Sequence, residues 1–182
     1  MSTIAETIHF ERDPVYRQLV SIQTFDAWAA YQCSCSHPKL SGRLVKLRLV
    51  ASDESTDDIA APELKHLAAA LWLRQHEQAL HDAIVAAIFQ LSVPLKTHWR
   101  ECAMAHLLPP LDSPEDLKRL IDLSHIDLYP HTQHGMPYFG FEFECAWDPE
   151  HGFHVLMNGL RVVQLDGDVS NSLAIEIDGG VI

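Results

Sequence analysis

The chain has 182 residues, 47% of them apolar and 21% charged, which supplies enough Leu, Val, Ile and Phe for a sizeable core and excludes wholesale disorder. Twenty-five acidic residues against 13 basic ones give a formal charge of −12, a field that repels phosphate backbones and argues against nucleic-acid binding. Residues Met1 to Phe10 lack the basic start and apolar run of a signal peptide. The stretch from Glu63 to Val93 is interrupted by Lys65, His66, Arg74, Glu77 and Asp82, so no membrane span is expected. Four cysteines, Cys33, Cys35, Cys102 and Cys145, without an export signal read as reduced thiols, and the expectation is a soluble cytoplasmic protein.

In chain order, Gln18 to Gln23, Trp28 to Cys35 and Arg43 to Ala51 read as three strands of an antiparallel meander, separated by turn-forming residues. An acidic loop, Asp53 to Asp58, follows, and Pro62 suits the first turn of a helix because its missing N–H is not needed there. Leu64, Leu67, Ala68 and Leu71 follow the i, i+3, i+4, i+7 spacing of one helical face, and Leu80, Ile84, Ile88 and Leu91 continue a comparable stripe. The expectation is one long helix or two abutting ones ending near Pro94. Ser113-Pro-Glu-Asp116 starts a short helix running to about Leu123, with Ser113 as cap and Asp116 reaching back. His125 to His131, Tyr138 to Trp147, Phe153 to Met157 and Arg161 to Leu165 read as strands, the last two joined by a tight turn at Asn158-Gly159. Strands, then helices, then strands indicate an α+β fold, because regular βαβ alternation is missing. Antiparallel sheet from both ends would pack on a central helical segment. The whole chain, 1–182, reads as one domain: a meander over 1–52, helices over 61–123 and strands over 124–166.

No phosphate-binding glycine loop and no nucleophile elbow is present, so nucleotide handling and α/β-hydrolase chemistry have no support. His76 and His81 are five apart, roughly 140° around a helix, and cannot share a metal as an i, i+4 pair would; they read as polar residues on the exposed part of the helix. In an extended strand Cys33, Cys35 and His37 would share a side, but no second cluster offers a fourth zinc ligand, so the cysteines read as small core residues. His125, His131, His134, His151 and His154 fall close in sequence to Asp127, Asp148 and Glu150, residue types able to form a metal or acid–base site. Nothing in the spacing demands one.

Phe139, Phe141, Phe143, Cys145 and Trp147 alternate along Tyr138 to Trp147, giving a strand with one strongly apolar side and Tyr138, Gly140, Glu142, Glu144 and Ala146 on the other. Asp148-Pro149 is expected to stop the ladder, with Glu150-His-Gly152 completing a turn. The run Gly140-Phe-Glu-Phe-Glu-Cys-Ala-Trp-Asp-Pro-Glu-His-Gly152, Val155 beyond it and Arg161-Val-Val163 resemble the C-terminal signature of a bacterial domain family of unknown function. The resemblance extends more weakly to Asp13-Pro-Val-Tyr16, Trp28 and the stretch Pro62 to Leu91. Arg17 stands where such proteins commonly have glycine, and Phe153-His154 replaces a Leu-Gly pair. Some domains of this type are similar to immunity proteins of toxin systems, and the resemblance implies no catalytic residues.

The resulting expectation is a small acidic protein-binding module, of the immunity type, for a basic partner such as a toxin, with no cofactor, no metal, no nucleic acid and no membrane. Its contact residues are expected in two places: Asp53, Glu54, Asp57 and Asp58, and the turn with Asp148, Glu150 and His151. The alternatives are a metal-dependent enzyme built from the C-terminal histidines and carboxylates, and a structural or assembly role.

Overall fold

A computed structural model describes residues 8–33, 44–51, 61–101 and 111–165, with backbone alone over 92–101. Seven strands form one sheet whose spatial order follows the chain: β1 (Glu11–Arg12), β2 (Leu19–Thr24), β3 (Leu44–Leu49), β4 (Ile121–Gln133), β5 (Met136–Cys145), β6 (Asp148–Asn158) and β7 (Arg161–Leu165). All neighbours are antiparallel except β3 and β4. That parallel pair corrects the purely antiparallel expectation. The two helices α1 (Leu64–Gln75) and α2 (Glu77–Glu101) lie between β3 and β4 in the chain, and parallel neighbours need such a crossover instead of a hairpin. The α+β class stands, with one mixed sheet.

The N-terminal half departs most from expectation. Over its described residues, 28–33, the expected strand Trp28 to Cys35 is no strand: Asp26–Trp28 is a 3-10 turn, which the Glu77 carboxylate secures by accepting the Ala27 N–H at 2.7 Å. Trp28 is buried in that turn, its ring 4.7 Å from His81 and 5.2 Å from Phe143 between centroids. Its apolar bulk serves the core from a turn, where the sequence pattern suggests a strand. Cys33 is buried and disulfide-bonded, which corrects its reading as a reduced thiol, whereas Cys145 is a buried thiol outside any disulfide. Cys35, His37 and Cys102 lie outside the described residues.

The helices abut at His76, and α2 runs through Pro94 to Glu101, beyond the expected end. Pro62 lies just outside the first turn, with Glu63 as the cap. His66 Nδ1 accepts the Glu63 N–H at 3.2 Å, so its Nε2 carries the proton and donates to the Val50 carbonyl at 3.0 Å. The buried side of α1 is His66, Ala69, Ala70 and Leu73, while Leu64 and Leu71 are exposed. The expected stripe was thus on the wrong side, although the true one obeys the same i, i+3, i+4, i+7 spacing. In α2 the expected stripe holds, with Leu80, Ile84 and Ile88 buried. His81 is not on an exposed part: its Nε2 lies 3.0 Å from the buried Tyr31 hydroxyl. No helix among the described residues is long and apolar enough to cross a membrane.

One face of the sheet meets these helices. Val45, Leu47 and Leu49 of β3, Ile126 and Leu128 of β4, Phe139, Phe141 and Phe143 of β5, and Val155 and Met157 of β6 form a core with Leu73, Leu80, Ile84 and Ile88. Phe139, Phe141 and Phe143 are buried as expected, and Trp147, half-buried in the β5–β6 turn, packs edge-on against Phe153 at 5.7 Å. The capping box at Ser113 forms, but it starts a 3-10 segment (Pro114–Arg119) that gives way to β4 at Ile121.

Candidate functional site

The second face of the sheet is polar at its centre, and a single irregularity places its key residue. Ile121 pairs with Cys145 and Leu123 with Phe143, yet His125 pairs with Glu142. Ser124 is the extra residue of a bulge, which shifts the alternation by one. Leu123 and Ile126 therefore both face the core, and His125 and Asp127 face away from it. Without the bulge His125 would follow Leu123 into the apolar side.

Two rows of partners cross the polar face. In the first, Lys46 of β3, His125 of β4, Glu142 of β5 and His154 of β6 stand opposite one another; in the second, Arg48, Asp127, Gly140 and Leu156 do. Directly opposed side chains lie roughly 5 Å apart at Cβ, which makes each row a line of contact. Gly140 is small because the Tyr129 ring covers it: a Cβ there would meet the Tyr129 hydroxyl at 3.2 Å.

Arg48 grips Asp127 with two parallel hydrogen bonds, Nε to Oδ1 and Nη2 to Oδ2, each 2.5 Å. Its Nη2 also lies 3.8 Å from Glu142 Oε1. His154 Nδ1 meets the same Glu142 oxygen at 3.2 Å. His125 Nε2 lies 3.8 Å from both Asp127 Oδ1 and Glu142 Oε1, and its Nδ1 is 3.4 Å from Ser124 Oγ. Asp127 is 5% exposed at its side chain and His125 19%, so water screens the group weakly.

Burial, assisted by Arg48 and Lys46 and opposed by Asp127 and Glu142, holds the His125 imidazole below its ordinary value and keeps it neutral at pH 7. For Glu142 burial acts upward, but the His154 hydrogen bond, with the permanent charge of Arg48 beside it, outweighs burial and keeps the carboxylate ionised. One guanidinium therefore faces two carboxylates and a bare imidazole. His125, Asp127 and Glu142 offer ligand atoms all within 4.8 Å of one another.

Of the five histidines singled out in the sequence, His125 and His154 belong here with Asp127. His134, with positive φ, forms the β4–β5 turn with Gly135, and His151 is exposed on another part of β6. Glu142 and Arg48 were missed as site residues. Their signal was present in the polar phase of two alternating strands, but nothing local says that the two phases share a face.

The expected contact residues Asp53, Glu54, Asp57 and Asp58 lie outside the described residues. Asp148, Glu150 and His151 are not a turn after a stopped ladder. The turn is Ala146-Trp147, β6 begins at Asp148, and the pairs Cys145–Asp148 and Phe143–Phe153 enclose a bulge on β6. Asp148 Oδ1 accepts the His151 backbone N–H at 3.1 Å and meets its Nδ1 at 3.0 Å. Gly152 closes the bulge at φ +76°, where a Cβ would stand 2.5 Å from the Phe143 carbonyl oxygen. Much of the Asp-Pro-Glu-His-Gly run is thereby explained as architecture, with Glu150 and His151 left in solvent.

No curated protein and no solved structure matches the chain. A family described as a domain of unknown function, DUF6985, matches residues 21–170, most of the sheet and both helices, and the chain belongs to that family.

Proposed function

We propose that the protein is a small acidic binding module that docks a basic protein surface, in the immunity reading that of a bacterial toxin. The observation that carries this is the β6 bulge. Asp148 and Gly152 hold it in one shape while Glu150 and His151 stay exposed, and an element already ordered loses little entropy on docking. The charge of −12 would speed the arrival of a cationic partner, and Asp53, Glu54, Asp57 and Asp58 would extend the acidic surface. Calorimetry against the product of the adjacent gene is the test, with binding weakened by Glu150→Lys and association slowed by salt. No binding to that product or to any toxin of the same genome sinks the proposal.

Such a module would act in the cytoplasm, where thiols are kept reduced. Cys33 is disulfide-bonded, so the location is tested by trapping thiols in acid directly from cells. A fully oxidised Cys33 there argues for an oxidising compartment. The alternative of a metal-dependent protein has one observation behind it, the meeting of His125, Asp127 and Glu142, and is developed next.

A further inference from the structure

We propose that His125, Asp127 and Glu142 form a binding site for one divalent cation, Zn2+ by preference, between β4 and β5 on the polar face of the sheet. The donor geometry is the first support. Ligand bonds to zinc are about 2.0–2.2 Å, and at that length two donors 3.8 Å apart subtend about 130° at the ion. Octahedral neighbours would sit about 3.0 Å apart and opposite pairs about 4.2 Å. The two His125 spacings thus lie nearer the tetrahedral or trigonal habit of zinc, and the two carboxylate oxygens, within 4.8 Å of one another, would draw in on the ion to give three protein ligands and an open fourth position.

The second support is the state of the His125 ring itself. His125 Nε2 is buried and has no hydrogen-bond partner, while it faces two carboxylate oxygens. Neither tautomer satisfies it. A lone pair there points at two acceptors, and a proton there is 3.8 Å from each, too far for a hydrogen bond. A cation between the three atoms satisfies all of them at once.

The surroundings are those of a supported ligand set. Ser124 Oγ stands by the other ring nitrogen of His125, His154 holds the Glu142 oxygen, and Arg48 fixes the Asp127 carboxylate plane. Arg48 also limits affinity, since its charge lies beside the ion. It equally relieves the repulsion between the two carboxylates in the empty site, so the protein folds without metal and is not of the zinc-finger kind. The inference stands apart from the docking proposal: the β6 bulge and this site share no residue, and either can fail alone.

The test is equilibrium dialysis of the full chain, stripped with a chelator, against Zn2+, with thermal melts of each variant to verify folding. One Zn2+ per chain is expected in the wild type, and it should be absent in His125→Gln and Glu142→Gln. His154→Asn should weaken binding by about 10–100-fold, the usual effect of removing a group that orients a ligand. His134→Asn, on the exposed β4–β5 turn, should bind as the wild type does. X-ray absorption on the loaded wild type, which needs no variant to fold, should give imidazole and oxygen ligands without sulfur. Sulfur ligation, no stoichiometric binding, or equal binding by wild type and His125→Gln overturns the proposal.

Discussion

The two faces of the central sheet are built from the same four strands but held by opposite means. On the helix side Phe139, Phe141 and Phe143 meet Leu47, Ile126 and Val155 in a continuous apolar core. Stability there scales with area removed from water and needs no particular partner for any one atom. On the other side Arg48, Asp127, His125, Glu142 and His154 sit over β3 to β6, beside a small cluster of Tyr129, Tyr138 and Leu156. Each polar atom there must find a specific partner or remain a liability. The first face tolerates drift in composition, and the second states a chemistry.

Truncation should separate the two most strongly. Phe141→Ala removes a fully buried ring from the centre of the core and should destabilise by about 3–5 kcal/mol in denaturant melts, with little effect on Zn2+ binding by whatever protein remains folded. An unchanged melt would mean that the helices do not cover this face.

On the polar face Asp127→Asn leaves Arg48 without its paired carboxylate. Because the Arg48 side chain is 28% exposed, the cost should fall below that of a fully buried pair, at about 2 kcal/mol in metal-free buffer. Replacing both residues together, Arg48→Met with Asp127→Leu, should restore most of it, since the penalty is chiefly that of one stranded charge. If the double variant is as unstable as the single one, the pair contributes more than mutual neutralisation.

The same contrast explains what the sequence made legible. The apolar phase of β5, the β6–β7 hairpin and the Ser113 box could be read because each is a local pattern, although the hairpin turns at Gly159-Leu160, one place later than the expected Asn158-Gly159, with Asn158 paired to Arg161. The rotation of α1 could not, since Leu64, Leu67, Ala68, Leu71 and His66, Ala69, Ala70, Leu73 fit the same spacing in a Leu- and Ala-rich run. The 3-10 turn at Trp28 was hidden by aromatic content that imitates a strand. The parallel pairing of Lys46 with His125 depends on segments far apart in the chain. The cluster on the polar face inherits that difficulty, and adds a bulge at Ser124 that reverses which side His125 faces.

The edge of the polar face offers a gain instead of a loss. Asp13 accepts N–H groups of Val15 and Tyr16 and pairs with Lys46 at 3.1 Å, tying the β1–β2 turn to the first polar row. Arg17 in that turn has φ +58°, a conformation that favours glycine. It is also where the resembling proteins commonly carry glycine. Arg17→Gly should stabilise by about 0.5–1 kcal/mol, relief of backbone strain outweighing the added freedom of the unfolded chain. A lower melting temperature would show that the Arg17 side chain holds the turn.

An effect of similar size concerns a polar chain that enters the helix side. The Tyr31 hydroxyl is 3.0 Å from His81 Nε2, and His81 Nδ1 is 2.9 Å from Asp82 Oδ1, so a phenol, an imidazole and a carboxylate run from the core to solvent. Burial first, then the charges of Glu115 and Asp82, push the Tyr31 phenol up to about 12. In the unfolded chain it titrates near 10. The folded state therefore holds the phenol proton more tightly, and the stability this confers is complete below about pH 10 and lost as pH rises toward 12. At pH 7 Tyr31→Phe should cost only about 1 kcal/mol, the net worth of one hydrogen bond. Its melts should then converge on those of the wild type between pH 10 and 12, because the variant has no phenol to ionise. Groups common to both proteins cancel in the difference. A gap that stays constant across that range would mean that Tyr31 ionises as freely in the folded protein as in the unfolded chain, and that the boundary between the apolar and polar halves of the molecule is wetter at α2 than the burial of Tyr31 implies.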